Sequence, residues 1–283
     1  MTVKPNLVVG LVCPAGTDLA ELKQQLRGQL AIVGYTYKDI KVSGAIAAAL
    51  KLSPPVNEYE RMRQLMAGGD LIRQNSTEGS GVASLIVTAL RAERGEDPIE
   101  DSSIVYVIDS LKNPKELEIL DQLYGRNFYS ISINAPKSDR RIYLANKIAR
   151  SRKQPLEEIH FSQADELIDL DQKGEDDTGQ SVRDTFPKSD FFVESALCAT
   201  EIKRFVRLIF KDPFITPTLD EYAMFIARAT ALRSCDLSRQ VGGNYILDLA
   251  TAVGDTGFSK EARHGYQYHQ PHLSRRSQGA CAS

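Results

Sequence analysis

The stretch Leu7-Val8-Val9-Gly10-Leu11-Val12-Cys13-Pro14-Ala15-Gly16-Thr17-Asp18 gives the strongest indication of the fold. Its first six residues form an unbroken apolar run, which is typical of a strand buried on both faces of a parallel sheet. The Pro and Gly that follow predict a turn, and Thr17 or Asp18 is expected to cap the next helix. The stretch therefore predicts a strand, a tight turn and a helix in succession.

Strand and helix patterns alternate further along the chain. The apolar runs Ile104–Ile108, Phe128–Ile133 and Phe191–Val193 predict three more buried strands. Helical patterns lie between and after the strands, at 19–30, 58–74, 82–94, 114–124, 139–150 and 201–210. This alternation predicts an α/β domain of three layers, with a parallel sheet, over residues 1–212.

The turn after the first strand is where a phosphate-binding loop would lie. Backbone N–H groups at a helix N-terminus bind phosphate oxygens, and glycines allow close approach. The candidate phosphate-binding residues here are Gly10, Pro14, Gly16, Thr17 and Asp18. A full Walker A motif has four residues between its glycines and then a Lys, whereas five separate Gly10 from Gly16 and no Lys follows. The loop predicts phosphate binding without fast phosphoryl transfer, and a plain strand–helix turn is the alternative.

Three charged residues are further candidates for the same site. Asp109 ends the second predicted strand, where it could hold Mg²⁺ beside a nucleotide or cap the following turn. Arg140 and Arg141 open a predicted helix and could clamp phosphate groups. A solvated basic helix face is the alternative for these two arginines.

Composition narrows the classes of partner. The 283 residues include 35 Lys and Arg against 37 Asp and Glu, so no overall field attracts nucleic acid or membrane. The four cysteines form no CxxC pair, which predicts reduced thiols and excludes a zinc knuckle. No signal-peptide pattern and no apolar run near the ~20 residues that span a bilayer are present. The sequence therefore predicts a cytoplasmic protein without a membrane partner.

The C-terminal part begins with a linker and then a helix. Thr218–Glu221 is a capping box. The helix is expected to end near Cys235 and to be followed by a strand over 240–247. Its expected buried face consists of Leu219, Tyr222, Ala223, Ile226 and Thr230. Residues 248–283 are polar, show little periodicity and are expected to be poorly ordered.

Five segments carry a resemblance to a known family. They are 10–18 (GLVCPAGTD), 106–116 (YVIDSLKNPKE), 179–186 with 189–193 (GQSVRDTF, SDFFV), 216–225 (TPTLDEYAMF) and 232–242 (LRSCDLSRQVG). In this order they resemble the anti-phage deoxycytidylate (dCTP/dCMP) deaminases, whose N-terminal domain is P-loop-kinase-like and whose C-terminal domain is a zinc deaminase. The resemblance covers about residues 5–247.

The resemblance implies a domain organisation and a set of remnant residues. Residues 1–212 would be the P-loop-kinase-like nucleotide-binding domain, and 213–247 the first helix and strand of the deaminase domain. Arg233, Ser234 and Gln240 would belong to that deaminase remnant. Residues 248–283 would be a tail that does not match the family.

The chain lacks the deaminase signatures H-x-E and P-C-x-x-C. In such enzymes His and Cys hold Zn²⁺, the metal activates water and the Glu transfers a proton. The spacing of His264, His269 and His272 does not place them on one helical face. We therefore expect no zinc, no catalytic residue and no metal ligand in this chain.

Three functions remain open at this stage. Deamination of deoxycytidine nucleotides is the family role, and this chain is expected to keep nucleotide binding without deamination. A regulatory module that senses a nucleotide or an RNA is one alternative. An active nucleotide kinase is the other, and it would need another cation, such as Lys23 or Lys112, in place of the missing loop lysine. The expected partners are a nucleotide, an RNA regulator and a second copy of the chain.

Overall fold

A computed structural model describes residues 5–94, 103–172, 181–232, 241–247 and 263–269. The chain divides into two compact units, Met1–Lys211 and Asp212–Ser283, which are described separately below. Within the described ranges, no helix is long and apolar enough to cross a bilayer.

The first unit is built on a five-stranded sheet in which every pair of neighbouring strands is parallel. The strand order is β2-β3-β1-β4-β5. The strands are β1 (Leu7–Val12), β2 (Thr36–Lys41), β3 (Ile104–Leu111), β4 (Phe128–Asn134) and β5 (Phe191–Glu194). The predicted α/β fold with a parallel sheet is confirmed.

Helices pack on both faces of this sheet, so the first unit has three layers with the sheet in the middle. They are α1 (Ala20–Ile32), α2 (Val42–Leu50), α3 (Glu58–Gln74), α4 (Gly81–Arg94), α5 (Pro114–Tyr124), α6 (Lys137–Arg152), α7 (Glu158–Gln172), α8 (Val182–Thr185) and α9 (Cys198–Ile209). One core lies between the sheet and α1 with α9, and Leu26 and Phe205 belong to it. The other lies between the sheet and α2, α4 and α5, around Ile86 and Leu120. Because alternate strand residues face the two cores, β1 is buried along its whole length.

Four elements of the first unit were not predicted from the sequence: β2, α2, α7 and the short α8. β2 is an edge strand with one buried residue, Ile40, and so lacks the apolar run that marks a central strand. α2 follows it at once, and the sequence pattern gives no separate turn between them. α7 is rich in acidic residues, but it buries Ala164, Leu167 and Ile168 at helical spacing against α6.

The second unit contains α10 (Leu219–Ala231), β6 (Val241–Leu247) and β7 (Arg263–His269). The predicted capping box is confirmed: Glu221 donates its backbone N–H to Thr218 Oγ1, and Thr218 donates its own to Glu221 Oε2. β6 pairs with β7 in antiparallel register, and α10 contacts both strands.

Two expectations for this unit differ from the structure in part. Of the expected buried face of α10, Ala223 is buried, together with Ala227 and Ala231, whereas Leu219 and Tyr222 are each 55% exposed. The tail predicted to lack regular structure includes the strand β7. Its two tyrosines, Tyr266 and Tyr268, are two residues apart, which is too short a pattern to predict a strand among the surrounding His, Arg and Gln. The rest of the tail, and Arg233, Ser234 and Gln240, lie outside the described residues.

Candidate ligand-binding site

The first unit has a cavity of about 610 Å³ where β1 and β3 end. Its walls come from the loop after β1, the start of α1, the β2–α2 junction, α3, the end of β3 and α6. Ligands of parallel α/β sheets bind outside the carboxyl ends of the strands, and β1 lies at the point where the strand order reverses. The volume is within the usual range of about 300–1,000 Å³ for small-molecule sites.

The two candidate phosphate-loop glycines are required by packing in this structure. Gly16 has a φ of +86°, and a Cβ atom there would lie 2.7 Å from the carbonyl oxygen of Arg140. A Cβ atom on Gly10 would lie 2.5 Å from a methyl group of Leu111. Gly16 thus lets α6 approach the loop, and Gly10 lets β3 pack closely against β1.

A side chain from α7 closes the loop. Ala15 donates its backbone N–H to Asp171 Oδ2 at 2.6 Å, and the Asp171 side chain is fully buried. Lys112 Nζ lies 2.9 Å from Asp171 Oδ1 and donates to the carbonyl oxygen of Cys13 at 2.6 Å. The Asp171 carboxylate therefore accepts the loop N–H that would be expected to bind a phosphate oxygen. Lys112 supplies the positive charge that balances this carboxylate.

The remaining loop candidates line the cavity but also make local bonds. Thr17 donates both its N–H and its Oγ1 hydroxyl to the carbonyl oxygen of Pro14, which closes a turn. Asp18 Oδ1 accepts the N–H of Ala20, the first residue of α1. Neither residue is the N-cap of α1, which is Leu19 and makes no side-chain cap bond. Asp18 bonds the first turn from one residue further back, and Thr17 stabilises the preceding turn.

Both oxygens of the predicted magnesium ligand are engaged within the protein. Lys23 Nζ lies 2.9 Å from Asp109 Oδ2 and 2.9 Å from Asp39 Oδ1. Asp109 Oδ1 accepts the N–H of Val42 at 3.2 Å, which anchors the start of α2. Burial alone would lower the pKa of Lys23, but its bonds to the two carboxylates outweigh burial and raise that pKa. The protonated Lys23 ammonium thus neutralises Asp109, and this arrangement does not fit a magnesium ion.

Neither of the two arginines that were expected to clamp phosphate lines the cavity. Arg140 is buried and donates to the carbonyl oxygens of Ala135 and Ala15, so it holds the outer side of the loop. Burial lowers the pKa of Arg140, although the charge of Asp171 opposes this effect. Arg141 donates to both oxygens of Asp165 and joins α6 to α7.

A buried ion pair connects the loop region to α3 and was not predicted. Arg73 Nη2 lies 2.7 Å from Glu116 Oε1, and the two side chains are 2% and 0% exposed. The other Glu116 oxygen accepts the N–H of Lys112 at 2.8 Å. Glu116 also closes the capping box of Asn113, and that Asn-Pro-x-Glu pattern was the available sequence signal.

A basic cluster on α3 and α6, here called the α3–α6 cluster, consists of Glu58, Arg61 and Lys147. Glu58 accepts hydrogen bonds from Arg61 at 2.7 Å and lies 3.0 Å from Lys147 Nζ. Burial would raise the pKa of Glu58, but these two cations outweigh it and lower the pKa. All three side chains line the cavity, and so does Lys41 at the end of β2. No ion pair joins Lys41 to another described residue.

The described residues also contain no group of three His, Cys, Asp or Glu side chains placed to hold a metal ion. The zinc motifs of the deaminases are absent from the sequence itself. The sequence therefore lacks the motifs that supply the zinc ligands of those deaminases.

No protein-family model and no curated protein matches the chain. Solved structures of kinases resemble it at low identity. The shikimate kinase of Aquifex aeolicus is 12% identical, with a TM-score of 0.39 over 74% of this chain and 99% of that one. The shikimate kinase of Acinetobacter baumannii is 12% identical, with a TM-score of 0.41 over 75% and 97%. A gluconokinase of Sinorhizobium meliloti is 11% identical, with a TM-score of 0.30 over 74% and 98%. These values are too low to carry an argument about activity, and none of the three proteins is described as a deaminase.

Proposed function

We propose that the first unit binds a nucleotide in the cavity without transferring a phosphoryl group, and that the chain senses a nucleotide instead of deaminating it. The observation that carries this proposal is the Asp171 carboxylate on the N–H of Ala15. Phosphoryl transfer depends on cations and amides that surround the phosphate groups. Here the chain's own carboxylate takes the loop amide.

The cations nearest the loop are neutralised in the same way. Lys112 is paired with Asp171, and Lys23 lies between Asp39 and Asp109. Neither lysine replaces the missing Walker A lysine while these ion pairs are intact. Binding without magnesium and without turnover is what this arrangement supports.

The composition of the cavity wall supports an anionic ligand with an apolar part. Six cationic and three acidic residues line it. Carboxylates behind the wall pair with Lys23, Arg73 and Lys112, so the positive charge open to a ligand comes from Lys41, Arg61 and Lys147. Apolar side chains complete the wall, and Ile46, Met62, Leu65, Met66 and Leu144 are among them. Phosphate and nucleobase are the two chemical parts that such a wall accommodates.

The proposal that the bound nucleotide is a deoxycytidine nucleotide rests on the resemblance to the deoxycytidylate deaminases. Residues 213–247, within the second unit, are proposed to correspond to the first helix and strand of a deaminase domain. Because the chain lacks H-x-E and P-C-x-x-C, we propose that it does not deaminate the nucleotide that it binds.

Calorimetric titration with dCMP, dCTP and ATP, in magnesium and in EDTA, tests the proposal. We expect saturable binding of a deoxycytidine nucleotide with equal affinity in both buffers, and no ADP or deoxyuridine product after prolonged incubation. Formation of ADP with a nucleoside acceptor would favour the kinase alternative instead. Release of dUMP or dUTP would contradict the account of the second unit.

A further inference from the structure

We infer that the phosphate group of the bound nucleotide is held at Lys41 and the α3–α6 cluster, and not at the loop between β1 and α1. This inference rests on the proposed function and names the part of the cavity that recognises the phosphate. The ligand class that it indicates is a nucleoside monophosphate.

The distribution of charge around the cavity is the first argument. Lys23 faces two carboxylates, Lys112 faces buried Asp171, and Arg73 faces buried Glu116. Because carboxylates of the chain already neutralise these three cations, the cations offer little net attraction to an anionic ligand. A phosphate near them would also approach carboxylates that already use the same donors.

The opposite imbalance holds at Lys41 and the α3–α6 cluster. Arg61 and Lys147 share the single carboxylate of Glu58, and Lys41 has no ion pair with the other described residues. These four side chains line the same cavity and together carry a net charge of about plus two. A phosphomonoester carries about 1.5 to 2 negative charges at pH 7, which matches this excess.

The geometry of the cluster is the second argument. Glu58 binds Arg61 through two parallel hydrogen bonds, so the guanidinium is held in one orientation before a ligand arrives. The Lys147 ammonium is fixed between Glu58 and the ring of Tyr143, which it faces at 5.8 Å from the ring centroid. Donors held in place in this way lose less conformational entropy on binding.

The apolar wall beside the cluster is the third argument. Met62, Leu65 and Met66 are on the same helix as Arg61 and line the same cavity as Ile46. A nucleobase can pack on this surface while its phosphate reaches the α3–α6 cluster. The methionines suit a planar ring, since their side chains adapt in shape.

Titration of dCMP into single variants tests the inference, with unphosphorylated deoxycytidine as the second probe. Lys147→Gln and Lys41→Gln should each weaken dCMP binding by about tenfold, because each removes a charged hydrogen bond to phosphate. Deoxycytidine binding should stay within about twofold of wild type. Lys137→Gln is the matched control, since Lys137 is on α6 but does not line the cavity; it should leave dCMP affinity unchanged.

Asp171→Asn separates the two possible phosphate positions. If the phosphate binds at the α3–α6 cluster, this variant keeps wild-type affinity for dCMP. If dCMP affinity rises in Asp171→Asn and is unchanged in Lys147→Gln, the phosphate competes for the loop and the inference is overturned. Failure of dCMP and dCTP to bind wild-type protein would overturn the proposed function itself, and is a different result from these variant patterns.

Discussion

The backbone N–H of Ala15 and the carboxylate of Asp171 are 2.6 Å apart, although 156 positions separate the two residues in the sequence. The contact joins the loop after β1 to the last turn of α7. Lys112 completes it by an ion pair with Asp171 and a hydrogen bond to Cys13. The loop after β1, which resembles an anion-binding loop, thus binds the carboxylate of Asp171 from the same chain.

Removal of the Asp171 charge should destabilise the first unit. In Asp171→Asn the Lys112 ammonium loses its only buried counter-ion among the described residues, and we expect a loss of about 3 kcal/mol in the free energy of unfolding. Urea denaturation followed by circular dichroism measures this change. Asp169→Asn is the control on the same helix, because its pair with Lys137 is about half exposed and should contribute under about 0.5 kcal/mol. Equal effects of the two substitutions would contradict a structural role for the buried pair.

Alanine substitutions at two glycines should change the stability of the protein in opposite directions. Gly16→Ala places a Cβ atom 2.7 Å from a backbone oxygen at a φ of +86°, so we expect a loss of about 2 kcal/mol. Gly28 is in the exposed interior of α1, where a Cβ atom meets nothing within 4 Å. Gly28→Ala should therefore raise stability by up to about 1 kcal/mol through helix propensity. Thermal and urea unfolding of both variants provide the measurement, and a neutral Gly16→Ala would show that the loop is not packed as described.

Removal of the Lys23 ammonium should create a response to magnesium. The carboxylates of Asp39 and Asp109 both contact this ammonium, and Lys23→Met leaves them without their shared counter-charge. Because Mg²⁺ prefers carboxylate oxygens, millimolar MgCl₂ should raise the melting temperature of Lys23→Met by about 3 °C. Wild-type protein should show no comparable shift, and Lys137→Met serves as a control for general salt effects. The same magnesium shift in wild type and Lys23→Met would refute the idea that Lys23 takes the place of the metal.

Glu58 should make a pH-dependent contribution to stability. Its folded pKa lies below the ordinary value of 4.5, so the carboxylate stabilises the fold at higher pH and loses that effect as pH falls through the folded pKa. We expect Glu58→Gln to cost about 1 kcal/mol at pH 7, and the difference from wild type to shrink as pH drops below 4.5. Urea midpoints at a series of pH values measure the difference. A pH-independent cost for Glu58→Gln would contradict its pairing with Arg61 and Lys147.

The sequence predicted the central part of the fold well because the central strands are continuous apolar runs. β1, β3 and β4 are buried on both faces, and the helices after them have clear caps or apolar spacing. The edge strand β2 was missed because an edge strand needs only one apolar face. α7 was missed because its many acidic residues conceal a narrow buried stripe.

The candidate site was only partly predictable for a related reason. Position after a strand indicated Asp109 and the loop, and both are at the cavity. The ion pairs of Asp171 and Lys23 could not be predicted, since tertiary packing and not a local motif forms them. Glu116 had a local signal in its capping box, but its pair with Arg73 did not. Arg140 and Arg141 were misplaced because a helix start does not reveal which of its side chains turn inward.

A crystal structure of the protein with dCMP tests the central claim most directly, through the position of the phosphorus atom. The account predicts phosphate oxygens within hydrogen-bond distance of Lys147 and Arg61, with Asp171 still accepting the N–H of Ala15. Phosphate on the N–H groups of Ala15 to Thr17, with the Asp171 carboxylate displaced, would contradict it.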